Sequence, residues 1–261
     1  MKISQIVGRK TIDLNVDIGE GFPFDRELLS FASSANICCG IHAGSPEITQ
    51  ETIELCLQQR VRIGAHPGYP DREAMGRVPM KAGQEREYLR SIFDQVTRFV
   101  ECTKPAYLKP HGAFYGDTGF VLPDNWQTAV RSKRPPSSAY EAGGLYLSQF
   151  PGVQSLVLLL RMHRLPLMGL HATAHREIAN RAGSSLIREG FGDRGYFSNG
   201  TLIPRGQIGS MLTQDDDICE QVLRLAPDVD SICLHGDTPH CLEYAELVFK
   251  TLTDAGYGVG V

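Results

Sequence analysis

The chain has 261 residues, 42% of them apolar, and a formal net charge of −4, which suits one large or two small soluble domains. No run of Lys or Arg exceeds two, so no nucleic-acid surface is indicated, and the longest apolar run, "VQSLVLLLRM", meets Arg161 too early to span a bilayer. No signal-peptide core precedes the first strand, so a cytoplasmic enzyme without a membrane partner is expected. Of the seven cysteines, Cys38 and Cys39 are adjacent and the other five dispersed, with no C-x-x-C pair, which fits reduced, small apolar residues better than a disulfide or zinc framework.

In chain order, "TIDLNVDIG" alternates Ile12, Leu14, Val16 and Ile18 with polar residues, the period of a strand. "SPEITQETIELCLQQR" offers Ser45 as N-cap and Pro46 at the first helical position, so a helix follows. "VRIGAH" reads as a strand. In "GQEREYLRSIFDQVTRFVECT", Leu89, Ile92, Phe93, Val96, Phe99 and Val100 share one helical face. "AYLKPHG" reads as a strand and "SLVLLL" as a buried one. "TQDDDICEQVLRLA" is a helix with acidic residues in its first turn. "SICLHGD" is a strand, and a last helix stops at Gly256. Repeated strand–helix units predict an α/β protein with a parallel sheet, closed or open. One domain spans 1–261, with an inserted or divergent loop at about 116–154 that is rich in Gly, Pro and Ser.

Polar residues recur where strands end and helices begin. "DLNVDIGEG" supplies Asp13, Asn15, Asp17 and Glu20; "ANICCGIHAGS" supplies Asn36 and His42; "RIGAHPGYPDR" supplies His66 and Asp71. "YLKPHGAFYG" adds Lys109 and His111, "REGFGDRGY" adds Glu189, Asp193 and Arg194, and "LHGD" adds His235 and Asp237. In parallel α/β folds ligands bind at the carboxyl ends of strands, so these corners converge on one face. Asp13, Asn15 and Asp17 share a strand face, with Asp17 nearest the end; Asp13 and Asn15 are as well explained by structural roles. Lys109 is seldom structural at such a place, because an unpaired buried ammonium is costly. His163, His171, His175 and His240 fall in or near helices. There is no Walker A loop, no G-x-S-x-G elbow, no H-E-x-x-H and no dinucleotide fingerprint.

"DLNVDIGEGF", "SANICCGIHAGSP", "IGAHPGYPDR", Gly76–Arg77, "LKPHGAFY", "EGFGDRGY…NGTLIPR" and "ICLHGDTP" together resemble the LamB/YcsF family, from about Thr11 to the C-terminus. The resemblance implies a distorted (β/α) barrel of the glycoside hydrolase/deacetylase type with mostly parallel strands. It implies ATP-dependent opening of a lactam, 5-oxo-L-proline to L-glutamate, by the A subunit of a 5-oxoprolinase with partner subunits B and C. ATP would be used by the complex, not bound by a recognisable loop here. The matching segments imply catalytic roles for Asp17, His66, Lys109, His111, His235 and Asp237. They imply substrate binding by Glu20, His42, Asp71, Glu189, Asp193, Arg194 and Arg205. Ser45 stands where the family has aspartate and "FGDR" replaces "FADR", which leaves another lactam or cyclic amide, used in biosynthesis, as an alternative.

For the lactam reading, Asp17 or His66 is the expected general base, Lys109 and Arg194 the oxyanion or carboxylate partners, and His235 or His111 the proton donor to nitrogen. A rival reading is a deacetylase-like amide hydrolase with a divalent metal on Asp17, His42 and His66. A third is a non-catalytic subunit; the density of ionisable residues argues against it. A homo-oligomer stays open.

Overall fold

A computed structural model describes residues 10–124, 147 and 149–261. Strand β1 (Thr11–Ile18) is buried from Ile12 to Ile18 on both of its faces, which places it inside a layered sheet. There follow α1 (Asp25–Leu28), β2 (Ser34–Cys38), α2 (Pro46–Gln59), β3 (Arg62–His66), α3 (Glu85–Cys102), β4 (Tyr107–Leu108) and α4 (Gly112–Thr118). Then come α5 (Pro151–His163), β5 (Leu167–Gly169), α6 (Ala174–Ala182), β6 (Leu186–Phe191), α7 (Asp215–Leu225), β7 (Ser231–His235), α8 (Cys241–Asp254) and β8 (Gly258–Val259). Strands β1 to β7 pair in parallel and in chain order, and β1 pairs with both β2 and β7, so the described residues close a barrel of seven strands. β8 pairs with Thr11 and Ile12 of β1 and stands outside that ring.

Because side chains alternate along a strand, the register sorts them into a shell and a lumen. Ile12, Leu14, Val16 and Ile18 join Ala35, Ile37, Ile63, Ala65, Ile232 and Leu234 in an apolar shell under α2, α7 and α8. Across the barrel, Leu108 and Leu167 pack with Ile92 and Val96 of α3 and with Leu156, Leu159 and Leu160 of α5. The opposite parity is polar: Asp13 lies beside Ser231, Asp17 beside Asn36 and His235, and Ser34 beside Arg62. Gly64 belongs to this inner row, where a Cβ would fall 2.1 Å from the Tyr107 ring, so only glycine lets that ring cross the lumen.

Local signals explain most elements. Ser45 caps α2 by accepting from the Ile48 amide at 3.2 Å, with Pro46 next, and Arg60 ends the helix in the left-handed region. The apolar run "SLVLLL" is not a strand: it lies inside α5, which starts at Pro151 and buries Val153, Leu156, Leu159 and Leu160 at helical spacing. The strand expected in "AYLKPHG" is short, but its backbone continues the ladder through Lys109 N–H to the Ala65 carbonyl and His111 N–H to that of Pro67. Of the insertion read at 116–154, residues 125–146 and 148 lie outside the described residues; 116–118 complete α4 and 151–154 open α5. All seven cysteines are free thiols. No helix among the described residues is long and apolar enough to cross a membrane.

Candidate active site

The lumen is plugged at one end by Asp13, which accepts from Ser33, Ser34 and Ser231 hydroxyls at 2.6, 2.7 and 2.5 Å and pairs with Arg62 at 3.1 Å. Above it the Asn15 amide donates to Ser231 at 2.7 Å and the Asn36 amide donates to Asn15 Oδ1 at 2.6 Å. Tyr107 donates its hydroxyl to Asn36 Oδ1 at 2.7 Å. That bond fixes which end of the Asn36 amide points upward, and its nitrogen also donates to Asp17 Oδ1 at 2.7 Å. The seam thus ends on a carboxylate at the carboxyl end of β1.

Lys109 is buried between two carboxylates, with Nζ 2.8 Å from Asp17 Oδ1 and 2.7 Å from Glu189 Oε1. It also donates to Cys233 Sγ at 2.9 Å. Burial opposes the charge of Asp17, but Lys109, His66 and His235 outweigh it and hold the carboxyl well below its usual range. Burial likewise opposes the ammonium, and Asp17, Cys233 and Glu189 outweigh it, raising Lys109 well above its ordinary value. The lysine is therefore a fixed cation enclosed by the protein, with its donors already engaged.

The other oxygen of Asp17 faces histidines: Oδ2 lies 3.4 Å from His66 Nε2 and 3.8 Å from His235 Nε2. His235 Nδ1 is 2.9 Å from both oxygens of Asp193, which fixes Nδ1–H as the donor and turns Nε2 toward Asp17. His66 Nδ1–H donates to the Lys109 carbonyl at 2.8 Å, and His111 Nε2–H donates to the Met75 carbonyl at 2.8 Å. Their remaining nitrogens face each other at 2.9 Å. Two neutral rings would meet there lone pair to lone pair, so the gap calls for a shared proton or a cation.

His42 stacks on His111 with centroids 3.9 Å apart and planes 8° from parallel. Glu20 Oε1 lies 3.7 Å from His42 Nε2 and 3.6 Å from His111 Nδ1, and Glu20 Oε1 and His42 Nε2 have no hydrogen-bond partner. Burial lowers the affinity of His42 for a proton, but Cys38 and Glu20 reverse that and raise it. Burial, with His42 and His66 alongside, pushes His111 well below its ordinary value. Gly68 permits this crowding, since a Cβ there would fall 2.5 Å from His42 Nδ1.

Asp17, His66 and His111 form one group able to hold a metal ion, and Glu20, His42 and His111 another. The donor lone pairs of imidazole lie in the ring plane, so the parallel rings of His42 and His111 cannot both aim at one ion. His66 and His111 stand at 89° and can. The set expected from sequence is Asp17 with His42 and His66; the residues whose donor atoms the fold gathers are Asp17 and His66 with His111.

Asp17, His66, Lys109, His111, Arg194, Arg205 and His235 line one cavity of about 60 Å³. Glu189 and Asp193 support it from behind through Lys109 and His235, and Asp237 is bound by Arg77 and by Arg205, the latter at 3.1 Å. Arg194 is tied by Nε and a terminal nitrogen to the Ser210 and Ile203 carbonyls, at 2.9 and 2.8 Å. Asp71 is not brought to the cavity; its Oδ1 accepts from the Ala74 amide at 3.3 Å within the turn leading to Met75. Residues given no site role from the sequence are Cys233, Tyr107, Tyr115 and Arg77, although Arg77 stands in one of the matching motifs. Parity would have found the first two, each two positions before a strand-end residue, and Tyr115 lies one helical turn beyond His111, its hydroxyl 3.1 Å from Glu189.

Fold and site together define a parallel α/β-barrel protein with an enclosed acid–base centre at the carboxyl ends of its strands. The chain belongs to the LamB/YcsF family, whose profile matches residues 12–119 and 153–260. It is 34% identical to the 5-oxoprolinase A subunit of Haemophilus influenzae (strain PittEE), over 93% of this chain and 96% of that protein. It is 32% identical to the corresponding 5-oxoprolinase polypeptide of Erwinia tasmaniensis, over 95% and 98%. The solved lactam utilization protein from Thermus thermophilus superposes with a TM-score of 0.72 at 27% identity, covering 96% of this chain and 99% of that one. A GH18 chitinase from Pseudoalteromonas aurantia, at TM-score 0.51 and 10% identity over 92% of this chain and all of that one, shares the fold alone.

Proposed function

We propose that this chain opens the lactam ring of 5-oxo-L-proline to L-glutamate as the A subunit of a 5-oxoprolinase, with ATP consumed by partner subunits B and C. The observation that carries the reading is Asp17. One of its oxygens is saturated by Lys109 and Asn36, and the other faces His66 and His235 at the floor of the cavity. An ionised carboxylate with one free oxygen suits the removal of a proton from an attacking water. The water oxygen bonds to the ring carbonyl carbon while Asp17, flanked by His66, takes a proton from the water and passes it to His235 Nε2, 3.8 Å away. As the carbon–nitrogen bond breaks, Nε2–H gives that proton to the departing nitrogen while Asp193 steadies Nδ1–H. Lys109 keeps Asp17 ionised, is paired with Glu189 on its other side, and does not grip substrate.

In the assay of 5-oxoproline with ATP, this chain and subunits B and C, Asp17→Asn lowers kcat by at least about a hundredfold, the scale of a positioned general base. Turnover by Asp17→Asn near that of the parent chain rejects the assignment.

The facing nitrogens of His66 and His111 favour a second reading, in which a divalent ion is held by Asp17, His66 and His111. Such an ion would supply Lewis acidity and a water of lowered pKa. Added zinc then raises the melting temperature of the parent chain and not that of His111→Ala; an equal response in both proteins leaves the shared-proton form of the site.

A further inference from the structure

The cavity of about 60 Å³ at Asp17 does not end blindly. It has room for a few waters, on the order of one reacting group, and less than a five-membered ring carrying a substituent needs. It adjoins a larger cavity of about 670 Å³ beside α4 and the loop that follows β6. Arg77, Gly112, Tyr115, Arg194, Leu202 and Arg205 line both, so they form the neck between them. Three of these six side chains are arginines.

Their charges are unequally matched. Arg77 and Arg205 share a single carboxylate, Asp237, whose side chain is 6% exposed. Arg194 is held by two uncharged carbonyls. Of the other nearby carboxylates, Asp17 and Glu189 share Lys109, Asp193 faces His235, and Asp117 lines the larger cavity. Burial, with Arg205 beside it, depresses Arg194 below its ordinary value, as expected where cations crowd. The neck itself therefore sets three guanidinium groups against one carboxylate, Asp237, in a place of restricted solvent where screening is weak.

The positions are also fixed. Arg77 comes from the loop after β3, Arg194 and Arg205 from the loop after β6, and Asp237 from the turn after β7. The β6 loop is stiffened by antiparallel bridges joining Arg194 to Met211 and Tyr196 to Leu202. Arg77 and Arg205 keep about a quarter of their side-chain surface open, at 26% and 22%. They are anchored at one end and accessible at the other.

We propose that Arg77 and Arg205, spaced by Asp237, form an oxyanion-binding neck that selects a cyclic amide carrying a carboxylate and directs its amide bond toward Asp17. This rests on the lactam reading above for the identity of the ring, but not for the anion. Arginine recognises carboxylates through paired N–H donors, and such charge-assisted bonds separate a charged ligand from its neutral analogue by roughly ten- to a hundredfold.

The test is calorimetric binding to the full-length chain of three probes: 5-oxoproline, 2-pyrrolidinone (the same ring without its carboxylate) and inorganic phosphate. The parent chain binds 5-oxoproline at least about tenfold more tightly than 2-pyrrolidinone, and Arg205→Gln reduces that ratio to below about threefold. Arg205→Lys keeps the charge but loses the fork, and falls between them. It also serves if the glutamine variant does not fold. Phosphate binding that weakens in Arg205→Gln, with neither lactam bound, upholds the neck and removes the lactam reading. Equal binding of both lactams to the parent chain, or an unchanged ratio in Arg205→Gln and Arg205→Lys, overturns the neck and leaves the lactam reading standing. No binding of any probe overturns both.

Discussion

Lys109 shows how one side chain sets the chemistry of its neighbours. It lies within 2.8 Å of Asp17 and 2.7 Å of Glu189 and is 1% exposed, so removing it leaves two buried carboxylates without their counter-ion. Lys109→Met is expected to lower the unfolding free energy by about 3–5 kcal/mol, the scale for one partner lost from a buried ion pair. Glu189→Gln in the same chain recovers part of that loss, since one of the stranded charges is gone. Urea denaturation of the parent chain, both single variants and the double variant measures the coupling. Strict additivity of the two changes would assign Lys109 a packing role instead. That this lysine is not ordinary surface was legible in the sequence from its place before Pro110 at a strand end. That its ammonium is wholly enclosed was not, because Glu189 and Cys233 reach it from positions 80 and more residues away.

At the scale of elements, what could be read was whatever a local pattern encodes. The Ser45–Pro46 start of α2 is such a case, since cap and first turn adjoin in sequence. So is the inward parity of Asp13, Asn15 and Asp17, which β1 displays without interruption. The helix α5 was hidden for an equally physical reason. Its buried Leu156, Leu159 and Leu160 have the helical period, but Leu158 and Met162 are 53% and 58% exposed on the other side. Apolar residues on both faces erase the period, and a short apolar run then reads as a core strand. Asp71 was misplaced for a related reason. "HPGYPDR" puts it close in sequence to a site histidine, yet the chain turns between them, and Asp71 serves the turn that presents the Met75 carbonyl to His111.

Barrel closure belongs to the whole molecule, since β1 must meet β7 more than two hundred residues later, and no local pattern separates that from an open sheet. The balance of protons is also molecule-wide, and two groups make it testable. Burial pushes His175 down to about 3, in a place where its ring lies against Tyr115 and would meet a Cβ on Gly119 or Gly169. The unfolded chain protonates this histidine near pH 6.5 while the folded chain does not. Stability is therefore lost as pH falls below 6.5, with a slope reaching about 1.4 kcal/mol per pH unit. Asp25 acts oppositely: burial raises it to about 6, against the Gly19 amide that favours its charge. The folded chain there takes up a proton that the unfolded chain takes only near pH 4, so this contribution grows as pH falls from 6 to 4 and is lost as pH rises through 6. Asp17, held well below its ordinary range, changes charge in the folded chain only below this window. Between pH 6.5 and 4.5 the two terms offset each other in part. His175→Gln removes the acid-labile one, so its urea midpoint falls less on acidification than that of the parent chain. Asp25→Asn removes the opposing one, so its midpoint falls more steeply. Every other titrating group is common to the three proteins, and the differences between their slopes isolate these two. Parallel pH profiles for all three proteins would show that neither group changes its proton affinity on folding.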